Sequence, residues 1–268
     1  MTMKLYDQHV HSTFSFDGKE ALRSSAHKAK EKGLAGITFT EHFDVDPLDV
    51  SFGYLQYDAY HRTIEEVREE LGGEFFLGRG LEIGEPHLTA YRRDLAEALA
   101  PMQLDFIIGS VHNIGSVKLS KYLIGREKDA FYTAYFAEVT EMARCADIDV
   151  VGHLDLAKRY GYPVFGSYDF ARHRQEIAEL LQVVADRGIG IEINTSGFRN
   201  SVGIPYPSLE ILTLYRSLGG KYVTLGSDAH ESKYLAADFP QAVALLKQAG
   251  FHEYYCYSAR TPQAVPIP

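Results

Sequence analysis

A closed or nearly closed α/β barrel of the (β/α)7 type is the fold class the sequence predicts, and three observations carry that prediction. Seven short, β-rich apolar runs alternate with longer amphipathic segments along the 268 residues. Strand-then-helix alternation repeated this often implies parallel strands joined by crossover helices, and seven strands suit a barrel better than an open sheet. No Gly/Ser-rich linker, low-complexity tract or composition shift divides the chain, so residues 1–268 read as a single domain. The strand runs are residues 4–10, 35–40, 75–83, 105–111, 149–153, 188–194 and 222–226. Apolar recurrence at three and four residues is clearest over 58–71, 128–146, 169–187 and 207–218, which read as helices. Residues 253–257 read as one more short strand. The longest non-periodic stretches, 43–57 and 195–207, follow the second and sixth strands, on the side where such barrels carry their sites.

Composition narrows the class. A hydrophobic content of 46% is ample for a large core and excludes a disordered chain. Lys and Arg number 27 against 36 Asp and Glu, a net charge of −9, so no bulk positive field exists to attract a phosphate backbone, and nucleic acid is not an expected partner. Neither a leader-like start nor an apolar run long enough to span a membrane is present, which gives a soluble, cytoplasmic expectation with no membrane partner. The two cysteines, Cys145 in a helical pattern and Cys256 in a strand-like YYCY run, cannot form a disulfide framework or a CxxC zinc site, and both are expected in the core.

Eleven histidines are more than packing requires, and their placement is informative. Asp7, His9 and His11 are spaced two apart in the first strand, so a period-2 strand turns all three to one face. His42 closes the second strand (ITFTEH), Glu82 the third (GRGLEI), His112 the fourth (FIIGSVH), His153 the fifth (VVGH), and Asp228 with His230 the seventh (TLGSDAH). A lone strand-end histidine is more often a satisfied core or capping residue than a ligand. That explanation fails for the set, because six of seven strands deliver a donor at the same end, while His27, His61, His87, His173 and His252 fall in helices or loops. Imidazoles and carboxylates converging on one barrel mouth repel or desolvate one another unless cations compensate them. With Asp17 nearby, the donors are too many for one tetrahedral ion, so two to three divalent transition-metal ions are expected. Mixed nitrogen and oxygen donors without thiolate suit Zn, Mn or Fe alike.

These motifs resemble the polymerase-and-histidinol-phosphatase (PHP) superfamily: the DQHVH start, His42 after a strand, GLEIG around Glu82, SVHN around His112, GHLD around His153 and SDAH near the end. The resemblance spans almost the whole chain. Its length, the GHLDLAKRYG stretch, the EINTSGFR stretch and the following PYPS are similar to the monofunctional histidinol-phosphate phosphatases. The resemblance implies a distorted barrel and a trinuclear centre. Position by position, it gives His9, His11, Glu82 and Asp228 to one ion, Glu82, His112 and His153 to a second, and Asp17, His42 and His230 to a third. Many relatives carry histidine where Asp17 stands, which makes the third site here harder and richer in oxygen. Asp7 is expected to orient an imidazole.

The implied activity is hydrolysis of L-histidinol phosphate to L-histidinol and inorganic phosphate, a step of histidine biosynthesis, with in-line attack by a hydroxide bridging the Glu82-linked ions. Glu82, Asp228 and His230 are the residues nearest the chemistry, the last two as candidates to protonate the leaving group. Arg159 and Arg199, in loops after the fifth and sixth strands, are expected to bind the phosphate. Lys158 is expected at the surface, Ser12, Ser110 and Ser196 receive no chemical role, and Phe14, Phe43, Phe52 and Tyr54 are candidates to frame the organic part of the substrate. Two alternatives are a different PHP-type phosphoesterase, acting on nucleotides or phosphotyrosine, and a non-catalytic module stabilised by metal. The second predicts missing ligands, whereas every matched position here carries a donor.

Overall fold

The computed structural model describes residues 4–166 and 168–267. Its main sheet has seven parallel strands, numbered here along the chain with the two short hairpins included: β1 (Tyr6–Val10), β2 (Gly36–His42), β3 (Phe76–Gly84), β4 (Phe106–Ser110), β7 (Val150–Val151), β8 (Gly190–Asn194) and β9 (Val223–Gly226). Its strand order follows the chain without exception. The first and last strands meet at the Val10–Ala229 bridge, where the Asp228 amide donates to the His9 carbonyl at 2.8 Å and the His11 amide to the Ala229 carbonyl at 2.9 Å. The sheet thus curls into a nearly closed barrel of (β/α)7 type, as the alternation predicts.

Helices α1 (Leu22–Glu31), α2 (Tyr57–Leu71), α3 (Arg92–Leu99), α4 (Leu119–Tyr122), α5 (Lys128–Cys145), α6 (Ala157–Phe165), α7 (Phe170–Arg187), α8 (Leu209–Ser217) and α9 (Phe239–Gln248) connect the strands. Two of them show how the sequence sets their faces. In α2, Tyr60, Ile64, Val67 and Leu71 are buried; in α7, Ile177, Leu180, Leu181 and Val184 are, both at spacings of three and four. Each such side chain removed from water contributes about 1.5–3 kcal/mol. The α7 ends are set chemically: Asp169 accepts the Ala171 amide at the start, and Gly188 takes a left-handed conformation (φ 67°) at the stop.

Within a strand, alternate residues serve two environments. Ile107 joins the core between sheet and helices, whereas Phe106 and Ile108 pack with Tyr255 and Tyr257. Those tyrosines belong to β10 (Glu253–Ser258), which pairs antiparallel with β11 (Thr261–Pro266). The hairpin fills the N-terminal end of the barrel with apolar side chains, so that the polar inward residues gather at the other end. Its second strand shows no alternation in sequence, being cut by Pro262 and Pro266. A second hairpin, β5 (Asn113–Ile114) with β6 (Val117–Lys118), lies in the loop after β4.

Three expectations need correction. Asp7 does not orient an imidazole: three steps of β1 (Asp7 to Val10) match two of β2 (Ile37 to Phe39), and this irregularity breaks the period-2 reading. Its carboxylate accepts the Ser227 amide and hydroxyl and the Ala236 amide, tying β1 to the chain after β9. Lys158 is buried, not superficial, because its ammonium is paired with Asp155 at 2.7 Å. Cys256 is buried as expected, but Cys145 is only half-buried at the end of α5.

Candidate metal centre

At the C-terminal rim of the barrel, Glu82 is the hub. Its Oε1 lies 2.8 Å from His153 Nε2 and 3.4 Å from His112 Nε2; its Oε2 lies 3.2 Å from His9 Nε2 and 3.3 Å from both His11 Nε2 and His42 Nδ1. Five imidazoles therefore converge on one buried carboxylate. Asp228 Oδ1 stands 3.8, 3.7 and 3.5 Å from His9 Nε2, His11 Nε2 and His230 Nδ1. Asp17 Oδ2 is 3.1 Å from His230 Nε2 and 3.6 Å from His42 Nε2. All nine expected ligands meet at one end of the barrel.

The donors fall into three groups compact enough to hold an ion: His9, His11 and Asp228; Glu82, His112 and His153; and His11, His42 and His230. The second contains the residues expected for one Glu82-linked ion, and the first contains those expected for the other apart from Glu82 itself. In the third, His11 stands with His42 and His230 where Asp17 was expected, its ring stacked 4.4 Å from each.

The donor chemistry fits transition-metal ions. His9 Nδ1 is 2.6 Å from Glu192 Oε1, and His11 Nδ1 is 3.1 Å from Ser15 Oγ, whose own hydroxyl donates to Glu41. Those partners fix the proton on Nδ1 and leave both Nε2 atoms as lone-pair donors, 3.0 Å apart and facing the same space. A cation held between them would take both lone pairs. Asp17 Oδ1 is likewise buried without a hydrogen-bond partner.

Electrostatics agree. Burial, together with the neighbouring His230 and His42, pushes His11 down to about 3, so it is neutral and able to ligate. Burial alone would raise Glu82, but His9, His42 and its other imidazole neighbours outweigh it and hold the carboxyl well below its ordinary range. His112 is pulled down by burial yet raised to about 10 by Glu82, Glu85 and Asp44. Carboxylates and imidazoles thus shift one another across the centre, and His112 sits in the negative surroundings that a divalent cation neutralises.

The backbone is shaped for the site. His153 (φ 23°) and Asp228 (φ 53°) both occupy the sparsely populated positive-φ region, held there by the bonds from the His153 amide to Glu192 and from the Asp228 amide to His9. Gly226 is required: a Cβ there would collide with Glu192 Oε1 and His9 Cβ.

Sequence reasoning missed the residues that support the ligands. β8 is the one barrel strand without an expected donor, yet Glu192 on it holds His9 Nδ1 and the His153 amide, and Asn194 reaches Asp228 at 3.4 Å. A carboxylate inside the apolar run GIEIN was the available signal. Ser110 donates to Glu82 Oε1 at 2.6 Å and so orients an expected ligand, whereas the Ser196 hydroxyl donates to Asn194 Oδ1 at 2.6 Å and only approaches Asp228 Oδ2 at 3.3 Å.

A cavity of about 630 Å³ opens over the centre, the size of a small-molecule site. Arg159 and Arg199 both line it. Arg199 Nη2 donates to the Ser227 carbonyl at 2.6 Å, while its Nη1 is buried without a protein partner. The aromatics on the wall are Phe16, Tyr160 and Tyr234. Of the four expected there, Phe14 and Phe43 pack against the core, and Phe52 and Tyr54 are exposed outside the cavity.

A parallel barrel with nitrogen and oxygen donors gathered at its strand C-termini defines a multinuclear metal-dependent enzyme. Residues 7–196 match the PHP domain model, and the chain belongs to that family. It is 30% identical over 260 residues to the histidinol-phosphatase of Lactococcus lactis subsp. lactis, covering 96% of this chain and 95% of that one. It is 24% identical to the histidinol-phosphatase of Bacillus subtilis, over 86% of this chain and 95% of the relative. The crystal structure of the Lactococcus histidinol phosphate phosphatase, complexed with zinc, L-histidinol and phosphate, superposes with a TM-score of 0.89 at 29% identity, covering 98% of this chain and all of that one.

Proposed function

We propose that the protein is a metal-dependent phosphomonoesterase that hydrolyses L-histidinol phosphate to L-histidinol and inorganic phosphate, acting in the cytoplasm in histidine biosynthesis, with residues 1–268 working as one domain. The observation that carries this reading is the pairing of two different devices at one cavity: nine convergent nitrogen and oxygen donors, seven of them lining it with His9 and His11 buried behind, and two arginines on its wall. The Lactococcus relative, solved with zinc, L-histidinol and phosphate, supplies the substrate. Among the described residues no helix is long and apolar enough to cross a membrane.

His9, His11, Glu82 and Asp228 would hold one ion, Glu82, His112 and His153 a second, and Asp17, His42 and His230 a third, with His11 close enough to serve there also. Bound divalent ions offset charge on the phosphoryl oxygens and make hydroxide available at neutral pH. The protein's own groups do the rest. Arg159 and the unpaired Nη1 of Arg199 receive the outer phosphate oxygens through charge-assisted hydrogen bonds and so favour a dianionic monoester. Asp228 and His230 line the cavity and are, by elimination, the candidates to return a proton to the leaving alkoxide. Phe16, Tyr160 and Tyr234 exclude water from the organic part.

Steady-state kinetics of the metal-replete enzyme on histidinol phosphate, phosphotyrosine and bis-p-nitrophenyl phosphate, with and without chelator, test the reading. Chelator should abolish turnover, and histidinol phosphate should lead in kcat/KM by at least about tenfold, the worth of one good polar contact. A preference for the diester or for phosphotyrosine would refute it.

A further inference from the structure

Lys158 has a placement that neither catalysis nor ordinary helix packing requires. It lies in the first turn of α6, directly before Arg159, and only 3% of its surface is exposed. Its ammonium donates to Asp155 Oδ2 and to the Pro205 carbonyl, both at 2.7 Å. Burying an ammonium costs several kcal/mol unless it is closely paired, so the arrangement persists only because both acceptors are in place. Asp155 belongs to the turn after β7; Pro205 belongs to the loop after β8.

The second acceptor connects to Arg199. Pro205 and Ile204 lie directly against Gly197, where a Cβ would strike the Ile204 carbonyl and the Pro205 Cα. Gly197 sits in the 3-10 turn Thr195–Arg199, which ends in the arginine on the cavity wall. The same loop is pinned by the paired backbone bonds between Asn194 and Tyr206, at 2.7 and 2.9 Å, and by the Ser208 amide on Asp155 Oδ2 at 3.3 Å. One buried cation therefore ties the first turn of α6, which carries Arg159, to the loop after β8, which carries Arg199, and the carboxylate it uses holds both.

We propose that Lys158 is a positioning residue: through Asp155 and the Pro205 carbonyl it fixes the spacing of Arg159 and Arg199, and so sets the affinity of the cavity for a phosphomonoester dianion. The proposal rests on the reading of those two arginines as phosphate ligands. Preorganised donors lose no ordering entropy when the phosphate arrives, whereas two segments free to shift against each other must be ordered at each encounter.

The experiment compares Lys158→Met with the neutral pair Lys158→Met/Asp155→Asn, which leaves no uncompensated buried charge and keeps the test valid where the single variant fails to fold. Zinc-loaded protein is used throughout, and metal content, melting temperature, kcat, KM and the inhibition constant of inorganic phosphate are measured. Expected are an unchanged metal count, and a KM for histidinol phosphate and a phosphate inhibition constant both raised by about tenfold or more, the scale of one misplaced charge-assisted contact. The same change made in an Arg159→Ala/Arg199→Ala background should add less than about twofold, because residues acting as one unit are not additive.

A folded neutral pair with parental phosphate inhibition and KM overturns the clamp, as does an undiminished loss in the arginine-free background. A lower melting temperature with unaltered KM and phosphate inhibition marks a purely structural lysine and overturns it equally. Arginine variants that match the parent refute the phosphate reading itself, whatever Lys158 does. Deficient arginine variants beside a silent Lys158 refute the clamp alone.

Discussion

Glu192→Gln tests the architecture beneath the metal centre without replacing an expected ligand. Glu192 accepts three hydrogen bonds in a fully buried position: from His9 Nδ1 at 2.6 Å, from the His153 amide at 2.8 Å and from Asn194 Nδ2 at 3.2 Å. The first two fall on different oxygens, Oε1 and Oε2, and both donors belong to residues assigned to metal. A glutamine fills the same volume but has one oxygen. Whichever way the amide turns, its NH2 group faces either the His9 N–H or the His153 N–H, so one charge-assisted bond becomes a clash of donors. A lost charge-assisted bond is worth about 1.5–3 kcal/mol, or about one to two decades in an equilibrium constant. The loss falls on ring orientation and on the backbone of His153, so it should emerge as weaker zinc binding, with little change in overall secondary structure. Competition titration against a chromogenic chelator reads the affinity directly, and circular dichroism checks the fold. Zinc affinities of Glu192→Gln and parent within about twofold would refute the argument that Glu192 orients these ligands.

Protein grown with supplemented metal should carry between two and three transition-metal ions per chain by elemental analysis, and Glu82→Ala should lose metal and turnover together, since all five imidazoles around Glu82 face its two oxygens. Asp17→Asn should keep the Glu82-linked pair but weaken the third ion, so turnover should fall at limiting metal and recover partly in excess; unchanged turnover at limiting metal would make Asp17 a loop residue. Arg159→Ala and Arg199→Ala should each lower kcat/KM for histidinol phosphate by about one to two decades independently of added metal, and by less for a diester. Away from the site, Glu138 is held below its ordinary value chiefly by the hydrogen bond from His87 at 2.6 Å. A depressed folded value stabilises above the unfolded value and loses that contribution as pH falls through the folded one. The melting temperature of Glu138→Gln should thus lie below the parent's at neutral pH and approach it on acidification below about pH 4; a gap that persists in acid would refute the His87 hydrogen bond as its cause.

Much of this arrangement was legible in the sequence because each signal was local. Strand positions followed from apolar runs, and β2 begins at Gly36 and β3 at Phe76, each within one residue of expectation. The ligands were legible because strand ends in a parallel barrel share a rim, so that residues as distant as His9 and Asp228 need only end their strands to meet. What stayed hidden depends on neighbours. Asp7 and His9 share a spacing, but the irregular register between Asp7 and Val10 sends Asp7 to Ser227 instead of to a ring. Lys158 and Arg159 are adjacent cations that look alike in sequence, and only the position of Asp155 and of the Pro205 carbonyl buries one while the other lines the cavity.

Glu192 shows why the supporting layer is harder to read than the ligands. A ligand's chemistry is carried by its own side chain, so six histidines at strand ends stand out against the chain. An orienting carboxylate is defined by what it faces. Glu192 and Glu41 are both fully buried acids, and both do the same work, one on His9 directly and the other on His11 through Ser15, from strands on opposite sides of β1 in the barrel. Glu41 lies beside a ligand in sequence and Glu192 does not, yet neither position follows from spacing alone. The two imidazoles they orient bring their Nε2 atoms to 3.0 Å, a separation set by strand geometry and by these two acids together. Metal affinity in this barrel should therefore depend on the buried carboxylates behind the histidines as much as on the histidines themselves.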